Sequence, residues 1–529
     1  MKKKTRILSL GIASAMLLAA CAPAAQPPAA GDAPADAGAE TGVAANGGQD
    51  ELRVVMNALP VTLDPHALND LPSARARRMV FDTLIGQDPN DLSLLPGLAT
   101  SWEMPDAQTV VLNLREGVYF HNGEPFNAES VRFSILRAYD SAHTHSMVEF
   151  VEDVEVVDDY TAIIHMHTPF VPILTQLQAQ QLSMLPPVAV QEAEAAGIDF
   201  ADVAVGTGPF MLEEFQVGSH MTLVRNQDWW GPEVQFERLT FRGIPEQANR
   251  LIEIETGNAD IALDIAPIDV PGAEANPNVN VHRAQSTSLT YLGFNTLEGP
   301  LADIRVRQAI SHAIQLEPIV DNAFQGTGNV ARSLTTPLTW AHLPLDLYPH
   351  DLDRARELLA EAGFPDGEGL DLRIWYNAGN QQRADISEMM QNQLRAVGIE
   401  LTVETIEWAA YLERTANAEH DMFILGWITN SVDPDASLFM LLHSQNHGAA
   451  GNRVFFDNPR VDELLSAGRA EQDYDARMAI YHEIQEIMAQ EIPKIVLVNP
   501  EELHATRPGV NNFIPTANGN NHFHIVYFD

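Results

Sequence analysis

Apolar and polar positions follow two spacings, and segments with one spacing alternate along the chain with segments that have the other. A two-residue alternation is typical of strands, and a repeat of three to four residues is typical of amphipathic helices. The strand pattern occurs at 52–56, 110–114, 161–167 and 399–403, and the helical pattern at 303–314, 351–362, 383–397 and 474–490. This alternation of strands and helices predicts an α/β fold.

Local residue choices predict where several helices begin and end. Asp303 can cap a helix that carries Val306 and Ile310 on its apolar face. Gly363 follows the segment 351–362 at the position where a left-handed C-terminal cap belongs, and Gly398 does the same after 383–397. These ends support the helical interpretation.

The N-terminus has the three parts of a secretory signal. Lys2, Lys3, Lys4 and Arg6 are followed by an apolar stretch from Ile7 to Leu18, which is too short to span a bilayer. The junction Leu18-Ala19-Ala20-Cys21 resembles a bacterial lipobox, in which the cysteine is acylated and becomes the first mature residue. We therefore expect a signal peptide at 1–20 and a lipidated Cys21.

Cys21 is the only cysteine, so the mature fold must form without a disulfide. Residues 22–49 are dominated by Ala, Pro, Gly and acidic residues, which cannot bury enough apolar surface to offset the entropy of ordering. We interpret 21–50 as the lipidated cysteine and a flexible tether. No later stretch is long and apolar enough for a transmembrane helix, so lipid alone is the expected membrane anchor.

The charge of the chain is strongly negative. It carries 72 acidic and 31 basic residues, a formal net charge of −41. A polyanion of this size does not bind nucleic acid or an anionic membrane surface by electrostatics. The acidic residues are dispersed, which indicates a solvated acidic surface.

Motifs for catalysis and for cofactors do not occur. The sequence has no GxSxG, no GxxxxGK[ST] and no HExxH, and its one cysteine is assigned to the anchor. Pairs of the form His-x-His could place two imidazoles on one strand face, but such pairs are common on half-exposed strands. They are His143/His145, His165/His167 and His522/His524. We predict no enzyme activity, no cofactor and no resident metal.

An ordered series of segments resembles one protein family over nearly the whole mature chain. The segments are LDPH (63–66), LLPGLATSWEMPD (94–106), LREGVYFHNGEPFNAESVRFSILR (114–137), GTGPF (206–210), LVRNQDWW (223–230), LGFNT (292–296), DIRVRQAISHAI (303–314), AFQGTGNVA (323–331), DLDRARELLAEAGFPDG (351–367), LGWITNSVDPDAS (425–437) and NPRVDELL (458–465). The chain is similar to the family 5 extracellular solute-binding proteins, which bind dipeptides, oligopeptides, nickel and glutathione for ABC importers.

The resemblance implies a two-lobed periplasmic-binding-protein-like fold of type II, in the large form with an extra subdomain. Lobe I is then expected at 51–295, with the subdomain at about 86–205, and lobe II at 296–499. Residues 500–529 return to lobe I, so the chain would cross the hinge near Asn295 and near Asn499-Pro500. The implied partners are a small or short-peptide ligand and an ABC permease with its ATPase, and we expect a monomer.

The resemblance also bears on the ligand. Peptide-binding relatives have an aspartate three residues after the tryptophan of a Gly-Trp pair, and it binds the ammonium group of the peptide. Here Gly426-Trp427 leads to Asn430, whose amide brings no charge. Burying an ammonium group without a counter-ion is costly, and Asp433 nearby is the residue that could compensate. The arginine that receives the carboxylate in dipeptide binders aligns with Asn377, with Arg383 close by.

The expected ligand-binding residues combine aromatic walls with a few polar anchors. They are Trp427, Asn430, Asp433, Trp408, Tyr291, Asn295, Trp340 and Arg383. A dipeptide, a longer peptide, a glutathione-like γ-peptide, a sugar and a metal chelate all stay open as ligands. The alternatives in function are a nickel or haem binder of the same family, using His143, His145 or His447, and a secreted lipoprotein enzyme.

Overall fold

The computed structural model describes residues 50–67, 70–346 and 348–529. The predicted signal peptide and the lipidation at Cys21 lie outside the described residues, as does nearly all of the tether. No helix in the described ranges is long and apolar enough to cross a membrane.

The strands, in chain order, are β1 Glu51–Met56, β2 Ile85–Gln87, β3 Leu94–Pro96, β4 Ala99–Asp106, β5 Thr109–Leu114, β6 Val151–Asp158, β7 Thr161–Met166, β8 Phe210–Gln216, β9 His220–Arg225, β10 Arg238–Gly243, β11 Ile261–Ala262, β12 Asn280–Gln285, β13 Ser288–Phe294, β14 Gly328–Val330, β15 Asp371–Asn377, β16 Glu400–Ile406, β17 Met422–Ile428, β18 Lys494–Thr506, β19 Val510–Asn511 and β20 Tyr527–Phe528.

The helices are α1 Leu71–Val80, α2 Ala128–Asp140, α3 His145–Val148, α4 Ile173–Gln176, α5 Pro187–Ala196, α6 Phe200–Val203, α7 Gln247–Glu255, α8 Val270–Glu274, α9 Ile304–Ala313, α10 Leu316–Phe324, α11 Leu352–Glu361, α12 Gln381–Leu394, α13 Trp408–Ala416, α14 Asp435–Leu442, α15 Pro459–Ala470 and α16 Tyr474–Glu491. The α/β class predicted from the alternation of spacings is confirmed.

One long strand joins the two halves of the main sheet. The first part of β18 pairs with β13 and β14, and its second part pairs with β11 and β12. On one side of it the sheet continues as β13-β17-β15-β16, and on the other side as β11-β1-β10-β9-β8. We call the first half lobe II and the second half lobe I.

The two passages between the lobes follow from this pairing. The chain leaves β12 of lobe I at Gln285 and enters β13 of lobe II at Ser288, so the first passage is at the buried residues Ser286 and Thr287. From the sequence alone this passage was expected near Asn295. The expectation was wrong because β13 already belongs to lobe II and Asn295 follows the far end of that strand. The second passage lies within β18 around Pro500, where the partner changes from β14 to β12.

Separate apolar cores support the lobes and an inserted subdomain. Helices cover both faces of the lobe II sheet. The helices α9–α12 pack on one face and α13–α16 on the other, and each set forms an apolar cluster with the strands. Lobe I has its own cluster around β1, β9 and β10. The antiparallel sheet β4-β5-β7-β6 packs with α2 into a further core built from residues between Leu84 and Met184.

Several of the predicted helix caps are present in the structure. The Asp303 carboxylate accepts from the main-chain N–H of Arg305 and caps α9. Asp351 does the same for α11, whose Leu358 and Leu359 are buried as the spacing predicted. Gly398 adopts a φ of 81° where the helical segment after α12 ends. This left-handed conformation is one that glycine adopts at little cost.

Candidate functional site

Three parallel strands of lobe II end at one edge of the sheet. β15 pairs in parallel with β16 and with β17, so their carboxyl ends lie at Asn377, Ile406 and Ile428. In α/β sheets, ligands bind at this edge, because the loops that follow the strands form a crevice there. We call it the cleft edge, and its side chains come from the starts of α12 and α13 and from the turn after β17.

Arg383 lies at the cleft edge in the first turn of α12. Its Nη1 donates to the side-chain oxygen of Asn377 at 2.6 Å, and its Nη2 would lie 3.2 Å from a Cβ added at Gly426. The guanidinium therefore packs against the backbone of the Gly-Trp pair. Burial lowers the pKa of Arg383, and no carboxylate of the described residues forms an ion pair with it. Within the described part of the chain, the positive charge of Arg383 thus has no anionic partner.

Two tryptophans lie at the same sheet edge as this cation. Trp408 begins α13, is 46% exposed and stacks on Tyr411 with the rings 6.0 Å apart at 18°. Trp427 is half-buried near the end of β17, and its Nε1 donates to the carbonyl of Ala436 at 3.2 Å. Trp408 therefore offers an open aromatic face, whereas Trp427 is tied to the start of α14.

Asn430 is a point of contact between the lobes. Its carbonyl oxygen accepts from the Gln87 side-chain amide at 2.8 Å and from the Asn518 amide at 3.3 Å, both in lobe I. The Gln87 oxygen in turn accepts from Asn518 at 3.0 Å and from Arg78 at 3.3 Å. Because the main chain of Asn430 makes these bonds, its side-chain amide keeps its donors for another group.

A second contact joins the two lobes. The main-chain N–H of Val171, in the inserted subdomain, donates to the carbonyl of Arg469 in α15 at 2.7 Å. The Arg469 guanidinium lies 5.0 Å from the ring centre of Phe170 and pairs with Asp435 at 2.8 Å. The structure therefore shows the lobes in a closed arrangement.

Asp433 does not have the role that the sequence analysis considered for it. Both of its carboxylate oxygens accept from Arg477, at 2.7 and 2.9 Å, and both side chains are buried. An ion pair with this geometry leaves no oxygen directed at a ligand ammonium group. Asp433 stabilises the turn between β17 and α14 instead.

The other three predicted residues lie in different places. Tyr291 is fully buried in the middle of β13, below the cleft edge. Asn295 lies past the opposite end of β13, about 23 Å from Ser288 along the strand, and its amide donates to the carbonyls of Ala418 and His420 at 3.0 Å. Its placement in the ligand site is therefore corrected. Trp340 is half-buried beside the turn after β17, where its main-chain N–H donates to the carbonyl of Val432 at 3.4 Å.

The lobe I side of the site was missed by the sequence analysis. Gln87 ends a three-residue strand, and Asn518 belongs to a terminal segment with no regular pattern. The sequence offers one signal, since the segment 516–521 contains three asparagines and few apolar residues. In the structure Asn518, Asn520 and Asn521 are all buried. Buried amides indicate a hydrogen-bonded turn.

The histidines proposed for a metal or haem do not converge. His143 is exposed, the His145 ring hydrogen-bonds the Tyr139 carbonyl at 2.7 Å, and the His447 ring hydrogen-bonds the Phe456 carbonyl at 2.9 Å. Among the described residues, the group whose ligand atoms lie close enough for a metal is Asp264, Glu502 and His504.

The contacts of that group do not suit a metal ion. Arg75 donates to both oxygens of Asp264, at 2.8 and 2.9 Å. His504 accepts the Asp264 main-chain N–H at its Nδ1, which leaves the ring proton of the neutral imidazole on Nε2. Burial, with the neighbouring Asp264 carboxylate, raises the pKa of Glu502 to about 8. Both oxygens of Asp264 and one ring nitrogen of His504 are therefore already engaged by protein donors, which disfavours a metal ion at this group.

Comparison with known proteins places the chain among solute-binding proteins. The family model described as bacterial extracellular solute-binding proteins, family 5 Middle, matches residues 93–449. The chain is 27% identical to the dipeptide-binding protein of Escherichia coli, over 84% of this chain and 88% of that one. It is 27% identical to heme-binding protein A of Haemophilus influenzae, over 85% and 88%.

A solved structure supports the same grouping. The periplasmic binding protein of Helicobacter pylori in complex with the peptide STSA superimposes with a TM-score of 0.80 at 28% sequence identity. The match covers 91% of this chain and 98% of that one.

The assignment of Asp433 to the fold can be tested by removing its charge. Asp433→Asn leaves the buried Arg477 guanidinium uncompensated, so we expect a loss of about 3–5 kcal/mol in the free energy of unfolding, measured by urea denaturation. Glu357→Gln breaks the exposed pair with Arg354 and should change stability little. Unchanged stability with weakened ligand binding would instead show that Asp433 contacts the ligand.

Proposed function

The chain belongs to the bacterial extracellular solute-binding proteins of family 5, and from that premise we propose that it captures a peptide or peptide-like solute outside the cytoplasmic membrane and delivers it to an ABC importer. Members of this family are solute-binding proteins and not enzymes. The permease and its ATPase are the proposed partners, and the protein acts as a monomer that needs no covalent chemistry.

The proposed mechanism is closure of the two lobes on the solute. A ligand that binds best between closed lobes shifts the population toward the closed state, and the permease recognises that state. The hydrogen bonds from Gln87 and Asn518 to Asn430 exist when the lobes meet, so they add to the stability of the closed form. The bound solute supplies the rest of the free energy that stabilises the closed form.

The contacts at the cleft edge support a ligand that carries a carboxylate. Arg383 is fixed by Asn377 and lacks an acidic partner in the described part of the chain, although the chain as a whole has more than twice as many acids as bases. A planar guanidinium held in this way suits bidentate binding of a carboxylate. This unpaired arginine at the cleft edge is the observation on which the proposed ligand class rests.

The same contacts disfavour a free ammonium group next to Asn430. The nearest acids in sequence, Asp433 and Asp435, are both in buried ion pairs with arginines. An ammonium group buried there would lack a counter-ion, which costs several kcal/mol. We therefore propose a peptide-like ligand whose amino end is blocked, uncharged or bound elsewhere, with Trp408 as an aromatic wall.

The proposed location of the protein is based on residues 1–21. A signal peptide at 1–20 exports the chain, and acylated Cys21 holds it at the outer face of the cytoplasmic membrane, in a periplasm or at the cell surface. A single diacylated residue followed by a flexible tether gives the folded part freedom to reach a permease.

The ligand proposal is tested at Asn430 and Arg383 by calorimetric titration with a panel of peptides. Asn430→Asp restores the acid of the peptide-binding relatives and should strengthen binding of ligands with a free ammonium group by about 1–3 kcal/mol. Arg383→Gln should weaken all ligands with a free carboxylate by about 2–5 kcal/mol and should spare their amidated forms.

The matched control is Arg395→Gln, which removes a positive charge after the far end of α12 and should leave every affinity unchanged. Two results would contradict the proposal. One is tight binding of simple dipeptides by the unchanged protein, and the other is equal weakening of free and amidated peptides by Arg383→Gln.

The anchor is tested with Cys21→Ser. Serine cannot form the thioether that carries the diacylglycerol, so the variant should lose metabolic labelling with fatty acid and leave the membrane fraction. Labelling and fractionation in cells measure both effects, and solute affinity should stay the same. Retention of label in Cys21→Ser would place the anchor at another residue.

A further inference from the structure

The last turn of α15 ends, like that of every α-helix, with main-chain carbonyls that the helix itself does not satisfy. The Gly468 carbonyl accepts from the Arg477 guanidinium at 2.7 Å, within lobe II. The Arg469 carbonyl accepts from outside lobe II, because the main-chain N–H of Val171 in the inserted subdomain donates to it at 2.7 Å. The subdomain therefore completes the hydrogen bonding at this end of the helix.

A second hydrogen bond joins the subdomain to the same end of α15. The Nε2 of Gln472 donates to the carbonyl of Met104 at 3.4 Å. Met104 belongs to β4, which is an edge strand of the subdomain sheet, and the register of β4 against β5 is irregular between Glu103 and Asp106. Edge strands present main-chain groups that have no strand partner, so this carbonyl is available to a donor from lobe II.

The side chains on each side of this contact are held in place by their own body. Both oxygens of Asp435 hold the Arg469 guanidinium, at 2.8 and 3.1 Å, and its central carbon lies 3.0 Å from the ring centre of Phe439. Phe170 stacks on Phe150 within the subdomain, with the ring centres 3.9 Å apart. Across the contact, the guanidinium lies 5.0 Å from the ring centre of Phe170. Groups that are already ordered lose little conformational entropy when they meet.

The cleft edge contributes no group to this contact. Arg383 and Trp408 follow the ends of β15 and β16, whereas the contact uses the C-terminal end of α15 and two segments of the subdomain. Its hydrogen bonds and its guanidinium–ring contact join protein groups to protein groups, so it can form when no solute is bound. A contact of this kind favours the closed form by an amount that the solute does not determine.

We propose that these groups form a latch that closes the lobes in a fraction of the molecules without any solute. The latch consists of Met104, Phe170 and Val171 in the subdomain and of Arg469 and Gln472 in lobe II. The inference rests on the proposed function, since lobe closure is the mechanism proposed there, and it gives the inserted subdomain the role of setting the closed population. A solute that binds the closed form binds in proportion to that population. The latch therefore scales the affinity for every solute by the same factor and does not select among solutes.

Small-angle scattering of the protein freed of solute, by dialysis against denaturant and refolding, tests the latch directly. Val171→Pro removes the main-chain donor. Gln472→Glu replaces the amide donor with an acceptor of the same size at an exposed position, so it keeps the test valid if proline disturbs the subdomain. Each variant should have a larger radius of gyration than the unchanged protein. Gln216→Glu adds the same charge at an exposed position of β8 and should match the unchanged protein.

Calorimetric titration with the same panel of peptides gives the second readout. Each latch variant should weaken all ligands alike, by about fivefold, the equivalent of one neutral hydrogen bond, and free and amidated peptides should lose the same factor. Unchanged radii of gyration in both solute-free variants, or weakening confined to one class of peptide, would overturn the latch.

The latch and the proposed function fail in different ways. If solute contracts the unchanged protein and both latch variants behave like it, the latch is wrong and the proposed function stands. If both variants open the solute-free protein and no solute contracts it, the latch stands and the proposed function is wrong.

Discussion

Both lobes depend on the hydrogen bonding of one strand, β18. Its thirteen residues pair with β13 on the lobe II side and with β11 and β12 on the lobe I side, so a single segment carries both halves of the main sheet. The other passage is short, and Thr287 ties it down by donating from its hydroxyl to Thr429 at 2.6 Å and from its N–H to Ala517 at 2.8 Å. Motion between the lobes is therefore confined to two neighbouring segments, as a hinge requires.

Ion pairs within the protein determine which charged side chains remain available to bind a ligand. The acids nearest the Gly-Trp pair, Asp433 and Asp435, are each held by an arginine in a buried pair. Arg383 is held by an amide instead, so it keeps its net charge at the cleft edge. Acids are abundant in the sequence, yet none of the described ones forms an ion pair with Arg383, and this is why Arg383 is a candidate contact for an anionic group of the ligand.

The sequence predicted much of the fold and part of the site, for identifiable reasons. Helices with strong caps, such as the one begun by Asp351, were predictable because their signals are local. Trp427, Asn430 and Arg383 were singled out through the resemblance to the family, and Trp408 as an aromatic wall. The structure brings all four to one sheet edge, and their contact with a ligand stays a prediction. Asn295 was misplaced because strand direction depends on pairing between distant segments. Gln87 and Asn518 were missed because they reach Asn430 only through contacts 343 and 88 residues apart.

The central claim is that a solute holds two lobes closed on the cleft edge, and small-angle scattering tests it most directly. The solute would be the one that co-purifies with the protein, identified by mass spectrometry. The account predicts that the radius of gyration of the solute-free protein falls when this solute is added. It also predicts that Gln87→Ala, which removes a bond present only between closed lobes, needs a higher solute concentration for the same change. An identical radius of gyration with and without saturating solute would contradict the account.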